Sequence, residues 1–295
     1  MKKIYAILPH ILFILLVTLV LQPSIEGTES YLSFLVVIIA IELVLIIKYK
    51  STVSNTIGII VYLLFILWEY KSAKVGIENS ILYPAPENVF AVFMKDYDKI
   101  FEGIGSSLRL LGASFGMALI FGVGFGLLVG LSEKISAVVL PIARVISPIP
   151  PIIYSPYAVA LLPSFRAASI FIVTLTLFWP IFMSMVMSVK EVDVRVMDSA
   201  KTLNLKKGTL ILRILLPYSL PGIINSVSVS VSTSFLALTA AEMLGGTSGL
   251  GWYIKYHSDF ANFPKVVFGI IMIGIVVTAL NAFINVVRKY LIRWK

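Results

Sequence analysis

Side chains able to do chemistry are scarce in this chain and unevenly placed. Histidine occurs only at His10 and His257 and cysteine is absent. Thiol catalysis, disulfides and Cys-type metal sites are therefore excluded, and two distant histidines do not make a metal cluster. No G-x4-G-K-[ST] loop is present, so this chain is not expected to hydrolyse ATP itself. Two stretches remain. "MDSAKTLNLKKGTLILRILLP", residues 197–217, concentrates Asp198, Lys201, Lys206, Lys207 and Arg213 between apolar runs. "NSVSVSVSTSFLALTAAEML", residues 225–244, alternates serine as a strand would, but a lone strand cannot cross lipid with its backbone groups unpaired. Read as a helix, Asn225, Ser228, Ser232, Thr239 and Glu242 share one stripe, and Ser226, Ser230, Thr233 and Ala237 a second, small-residue face. The first stripe is expected to face a water-filled pathway, because its hydroxyl and amide groups would be poorly satisfied facing lipid. The second is expected to pack against a neighbouring helix.

The elements that must carry these residues are set by composition. Hydrophobic residues make up 59% of the 295 and charged ones 13%, with a mean hydropathy of +0.98. A soluble domain carries about 25% charged residues, so lipid is the solvent for most of this chain. The net charge of +9 does not point to nucleic acid, because the basic residues flank apolar runs as they do in membrane proteins. About eight segments approach the roughly 20 apolar residues a membrane helix needs. They are residues 4–21, 31–47, 55–69, 106–131, 135–163, 167–189, 216–243 and 265–287, the third short and the fifth broken by prolines. The first follows Lys2 and Lys3 but is too long for a signal peptide and meets no A-x-A site before Glu26, so it is expected to be retained.

Both termini are expected in the cytoplasm. With that orientation, Lys48 and Lys50, the cluster from Lys190 to Arg213, and Arg288, Lys289, Arg293 and Lys295 all lie inside. Within residues 191–213, Val192, Val196, Ala200 and Leu203, then Leu210, Ile211 and Ile214, recur at helical spacing. Two short helices are expected, one stopped at Asn204 and the next beginning near Lys207, because asparagine tolerates the left-handed conformation that ends a helix. Exposed apolar faces with basic flanks suit docking of another protein. Phe90, Phe93, Tyr97, Ile100 and Ile104 predict an amphipathic helix ahead of the fourth segment. Gly122, Gly126 and Gly130, after Gly112 and Gly116, predict close helix contact. Glu42, inside an apolar run, has two readings: a functional acid at mid-bilayer or, favoured by its nearness to Lys48, a side chain reaching for the inner interface. Pro141, Pro148, Pro150, Pro151, Pro156 and Pro163 predict an interrupted helix near a subunit interface.

Asp198-Ser199-Ala200, three residues, Asn204, nine residues, then Ile214-Leu215-Leu216-Pro217 resembles the E-A-A-x3-G-x9-I-x-L-P loop of ABC importer permeases. "AEMLGGTSGLGWYI" (241–254), the terminal "RKYLIRW", Trp68-Glu69, Pro84-Ala-Pro86, Ser107-Leu-Arg109 and Ile149-Pro150-Pro151 with Pro156 are similar to its nitrate/sulfonate/taurine-type members. Leu162-Pro163 stands where that group has Phe-Gly, and the first two helices look additional. The resemblance implies an all-α polytopic membrane protein of about eight helices. Residues 1–54 would be an added pair, and residues 55–295 a type I importer core with a coupling loop at 190–215. It implies that Val196, Asp198, Ser199, Ala200, Leu203, Asn204, Leu205 and Lys207 dock an ABC ATPase. ATP and Mg would be bound by that partner, with no cofactor in this chain. An extracellular binding protein would deliver a small organic or oxyanionic solute, and a second permease subunit, expected to be a second copy, would complete the pathway. Glu242, beside "GGTSGLG", would hold the outer gate or meet the binding protein. The competing reading is an ion-coupled secondary transporter, which would want inverted repeats and paired intramembrane charges.

Overall fold

The computed structural model describes residues 2–24, 31–49, 51–76 and 81–291, with only the backbone for residues 2–6. Lys50, the stretch around Glu26, and Arg293, Trp294 and Lys295 at the end of the RKYLIRW motif lie outside the described residues. Every regular element among those described is helical. Five are long and apolar enough to cross a membrane. They are Thr52–Val75, Pro86–Gly130, Phe165–Lys190, Lys207–Gly245 and Phe263–Leu291. The fifth predicted segment is a pair, Glu133–Ile146 and Pro151–Leu161, bent by 82° where Pro148, Pro150 and Pro151 remove successive backbone donors. Two shorter apolar helices precede them, Ile7–Val20 and Leu32–Ile47. The expected interruption is there, and all eight apolar segments are helical.

The chain divides into two compact units, residues 1–101 with 253–271, and residues 102–252 with 272–295. In the first, α1 (Lys2–Val20), α2 (Leu32–Ile47) and α3 (Thr52–Glu69) pack through buried Leu16, Val20, Phe34, Ile38 and Tyr62. Gly58 lets α3 approach α2: a Cβ there would lie 2.6 Å from Leu45 Cδ1. Glu42 does not reach for the interface. It is buried, its carboxylate bonded by Tyr62 Oη at 2.8 Å and by His10 Nδ1. A carboxylate flanked by apolar residues finds partners on neighbouring helices sooner than it unwinds toward water.

The third segment is longer than its apolar run, because α3 continues through a π-helical turn, Tyr70–Val75. After it, the predicted amphipathic helix and the fourth segment form α4 (Pro86–Gly130), two helices joined across a kink at Asp96, whose φ is −120°. Asp96 lies between the apolar positions that predict the amphipathic helix, and it is buried. Lys265 Nζ stands 2.5 Å from its carboxylate, and Tyr253 Oη donates to it at 3.1 Å. His257 packs edge-on against Tyr253 in α11 (Leu250–Asp259).

Burial holds His257 below the ordinary histidine value of 6.5, with Lys265 and Lys99 acting the same way and Asp96 opposing. At mildly acidic pH the folded chain then binds fewer protons here than the unfolded chain. This contribution to stability is complete above about 6.5 and is lost as the pH falls. His257→Gln is expected to flatten the acid side of the Tm–pH profile. An unchanged slope would remove His257 as its cause.

In the second unit, α7 (Phe165–Lys190) lies along α10 (Leu216–Gly245), with Leu177, Ile181, Met185, Val227, Val231, Phe235 and Leu238 in one core. The second half of α4 closes on α7 through its glycines. Cβ atoms at Gly122, Gly126 and Gly130 would fall 2.9, 2.7 and 2.8 Å from Ile181 Cγ2, Met185 Cβ and Val189 Cβ. The predicted close contact is thus an α4–α7 seam with matched four-residue steps. Gly112 and Gly116 have nothing within 4 Å of an added Cβ and take no part in it.

Candidate functional site

The charged stretch between α7 and α10 begins with α8, Val194–Thr202. Asp193 caps it by accepting from Arg195 N at 2.8 Å. Its end is the predicted one: Asn204 adopts a φ of +49°, and Leu205 N returns to Ala200 O at 3.1 Å. The second short helix is not separate. α9 (Lys207–Leu210) runs through a π-helical turn, Ile211–Leu215, into α10. No proline interrupts residues 207–216, and the wider turn accommodates Pro217, which has no N–H to give the preceding turn.

Ala200 also departs from expectation. It is 6% exposed and faces its own chain, whereas Leu203 is 71% exposed and Val194, which the periodicity reading omitted, 70%. Val196, Asp198, Ser199, Asn204 and Lys207 are exposed and Leu205 is half-buried. Asp198 pairs with Lys201 at 3.0 Å. The surface open to a partner is therefore Val194, Val196 and Leu203 with basic flanks, and Ala200 supports it from beneath. Alanine is small enough for either role, so its type alone gave no orientation.

The serine-rich stripe is split. Asn225 is exposed, and Ser228 and Ser232 lie at its flank. Ser232 accepts from Asn281 Nδ2 of α12 (Phe263–Leu291) at 3.0 Å. Ser228 and Thr239 return their hydroxyls to Ile224 O and Phe235 O. The face of α10 left open instead follows Asn225, Val229, Thr233 and Leu236. Of the second face, Ser230 is buried, as packing requires, but Thr233 is exposed.

Glu242 is the most heavily engaged member of the stripe. It is buried, takes Ser107 Oγ–H on Oε1 at 2.7 Å and Gly251 N–H on Oε2 at 2.8 Å, while Leu250 N donates to Ser107 Oγ at 3.0 Å. It thus ties α10 to α4 and to the first turn of α11, where a carboxylate meets unpaired N–H groups and the positive end of the helix. The loop must be glycine to fit. Gly249 has a φ of +113°, and a Cβ on Gly251 would lie 2.3 Å from Thr239 O. Burial leaves Glu242 no surface for a binding protein, and holding the loop is what its geometry can do. Beside it a cavity of about 280 Å³ is lined by Ser106, Arg109, Arg166, Ser169 and Thr247. Ser107-Leu-Arg109 and the glycine motif, separate in sequence, meet here.

In the second unit, membrane-length apolar helices carry a short capped helix between α7 and α10 and a glycine loop pinned at the far end of α10. Residues 119–295 match the family described as binding-protein-dependent transport system inner membrane component, and the chain belongs to that family. Among its relatives, the nitrate import permease protein NrtB of Leptolyngbya laminosa is 30% identical, over 64% of this chain and 68% of that protein. The bicarbonate transport system permease protein CmpB of Synechococcus elongatus is 27% identical over the same shares. The taurine transport system permease protein TauC of Escherichia coli is 24% identical over 82% and 90%. The inward-facing MetNI methionine ABC transporter shares the fold at a TM-score of 0.55, with 17% identity over 66% of this chain and 97% of the matched one. The chain is an ABC importer permease subunit, multi-pass in the membrane. The ion-coupled alternative has no counterpart among these matches.

Proposed function

We propose that this chain forms half of a transmembrane pathway whose alternating access is driven by an ABC ATPase docked on residues 191–213. ATP and Mg are bound by that ATPase. A second permease subunit, most simply a second copy of this chain, completes the pathway, and an extracellular binding protein delivers the solute. The observation that carries this reading is α8 itself. It is capped and stopped at both ends, offers Val194, Val196 and Leu203 outward, and sits between α7 and α10, which share one core. A push on α8 is therefore delivered to the helix that carries Asn225, Ser228, Ser232, Thr239 and Glu242. Of these, Asn225, Ser228 and Ser232 are the proposed solute-facing positions, and Thr239 and Glu242 act by fixing the outer end. The density of lysine and arginine between Lys190 and Arg213 supports a cytoplasmic loop there, and with it cytoplasmic termini. Residues 1–54 are proposed as an addition to the transporting core. The names of the relatives support a small organic or inorganic solute bearing an oxyanion group, with recognition residing chiefly in the binding protein.

The docking surface is tested with Val194→Asp and Leu203→Asp. Both positions are exposed, so folding should change by no more than about 0.5 kcal/mol. ATPase affinity is expected to fall about tenfold, roughly 1.4 kcal/mol, with transport falling in step. Ala200→Asp, by contrast, buries a charge within the permease and should lower its own Tm. Full co-purification of the ATPase with both exposed variants would place docking elsewhere.

A further inference from the structure

We propose that Glu69 and Glu87 form a proton-binding site, sharing one proton between their carboxyl groups and neutralised by Lys74. Glu69 ends α3, and Glu87 lies in the first turn of α4. They are 0% and 1% exposed. The two carboxyl groups interact across the turn that the Trp68 Nε1–Pro84 O bond holds together. Lys74 Nζ stands 3.2 Å from Glu69 Oε1 and is held there by Gln22 O at 2.7 Å and Ser24 Oγ at 2.9 Å. Among the described residues, no hydrogen-bond donor reaches Glu69 Oε2 or Glu87 Oε2.

Charge and hydrogen-bond capacity decide what completes this group. Two ionised carboxylates are acceptors only, so facing each other they repel and leave oxygens unsatisfied. Two negative charges against one ammonium also leave a net −1 in a place closed to water, which is strongly disfavoured. One proton removes both faults. It turns one carboxyl into a donor to the other, and it brings the cluster to zero charge. Carboxyl groups confined at one site behave in this way generally. A metal ion would ask for more oxygen ligands, and no group of three or more acidic or histidine side chains gathers among the described residues.

The local fold is shaped to build the site. The π-helical turn from Tyr70 to Val75 brings residues five apart onto one face, setting Lys74 against Glu69. Trp68 Nε1 donates to Pro84 O at 2.9 Å, and Pro86 starts the next helix, so Glu87 returns to the end of α3. The Trp-Glu and Pro-Ala-Pro-Glu motifs thus meet in one cluster.

The test is infrared difference spectroscopy on the full-length permease in lipid at neutral pH, comparing wild type with Glu69→Gln and with Glu87→Gln. Glutamine keeps the shape and supplies the donor that the shared proton supplied. Each single variant is expected to lose one buried carboxylic-acid C=O band relative to wild type and to stay folded. Because the proton is shared, removing either partner must remove the band. Lys74→Met removes the compensating charge and is expected to add a second such band. A carboxylic-acid band unchanged in both glutamine variants would overturn the proposal. So would its absence from wild type, whether or not sodium or potassium then raises the Tm. In that case the pair is a cation site or is doubly ionised.

Discussion

Leucine in place of Gly126 is expected to stop this permease from assembling a stable second unit. A Cβ at Gly126 would sit 2.7 Å from Met185 Cβ and 3.0 Å from Phe182 O, the latter an atom of the α7 backbone that cannot rotate aside. The α4–α7 seam repeats this approach at Gly122 and Gly130, so parting the helices at one step loosens all three. Forcing extra methylenes into a packed contact costs about 1–3 kcal/mol even where side chains can adjust. Here the helix axes must move, against a total stability of about 5–15 kcal/mol. Gly116→Leu is the matched control, since an added Cβ there meets nothing within 4 Å. Thermal unfolding in detergent should show Gly126→Leu severely destabilised or unrecoverable and Gly116→Leu close to wild type. Equal behaviour of the two would contradict the seam.

That seam was legible in the sequence because four-residue glycine spacing favours close approach on a membrane helix, although Gly112 and Gly116, equally spaced, take no part in it. What the sequence did not carry was the partner, Ile181, Met185 and Val189, whose types suit any apolar surface. The stop at Asn204 was legible for the same reason: few residues tolerate positive φ, so one in the right place marks a helix end. The second short helix begins at Lys207 as expected, but its end was misread, because that boundary depended on what Pro217 does to the turn before it and a π-helical turn leaves no mark in periodicity. Glu42 was misread because its partners, His10 and Tyr62, lie on other helices. A buried polar side chain announces that it has partners without naming them. The serine stripe failed in part for another reason. Serine and threonine can satisfy themselves on the preceding turn, so their presence along one face does not oblige that face to be wet.

Glu242 separates structural from transport roles most sharply. Its carboxylate is the joint acceptor for Ser107 Oγ–H and Gly251 N–H. Glu242→Leu leaves both donors buried without partners. At about 1–3 kcal/mol for each unsatisfied group, the C-terminal end of α10 should detach from α4 and α11. The glycine loop has no alternative way to close, because the turn at Gly249 and the contact of Gly251 with Thr239 O are shaped around that carboxylate. Transport should be abolished and the Tm should fall by several degrees. Glu242→Gln keeps one acceptor oxygen and the side-chain shape, and the Ser107 hydroxyl can turn to accept from the new amide. Its stability loss should therefore be the smaller. Ser107→Ala removes the bridge from Glu242 to Leu250 N and should fall between the two. The order leucine, then alanine, then glutamine in unfolding is what a loop anchor requires. If glutamine abolishes transport while its Tm stays near wild type, the negative charge itself acts on the solute or the gate, beyond anchoring the loop. If leucine leaves both the Tm and transport intact, Glu242 neither anchors the loop nor belongs to the pathway.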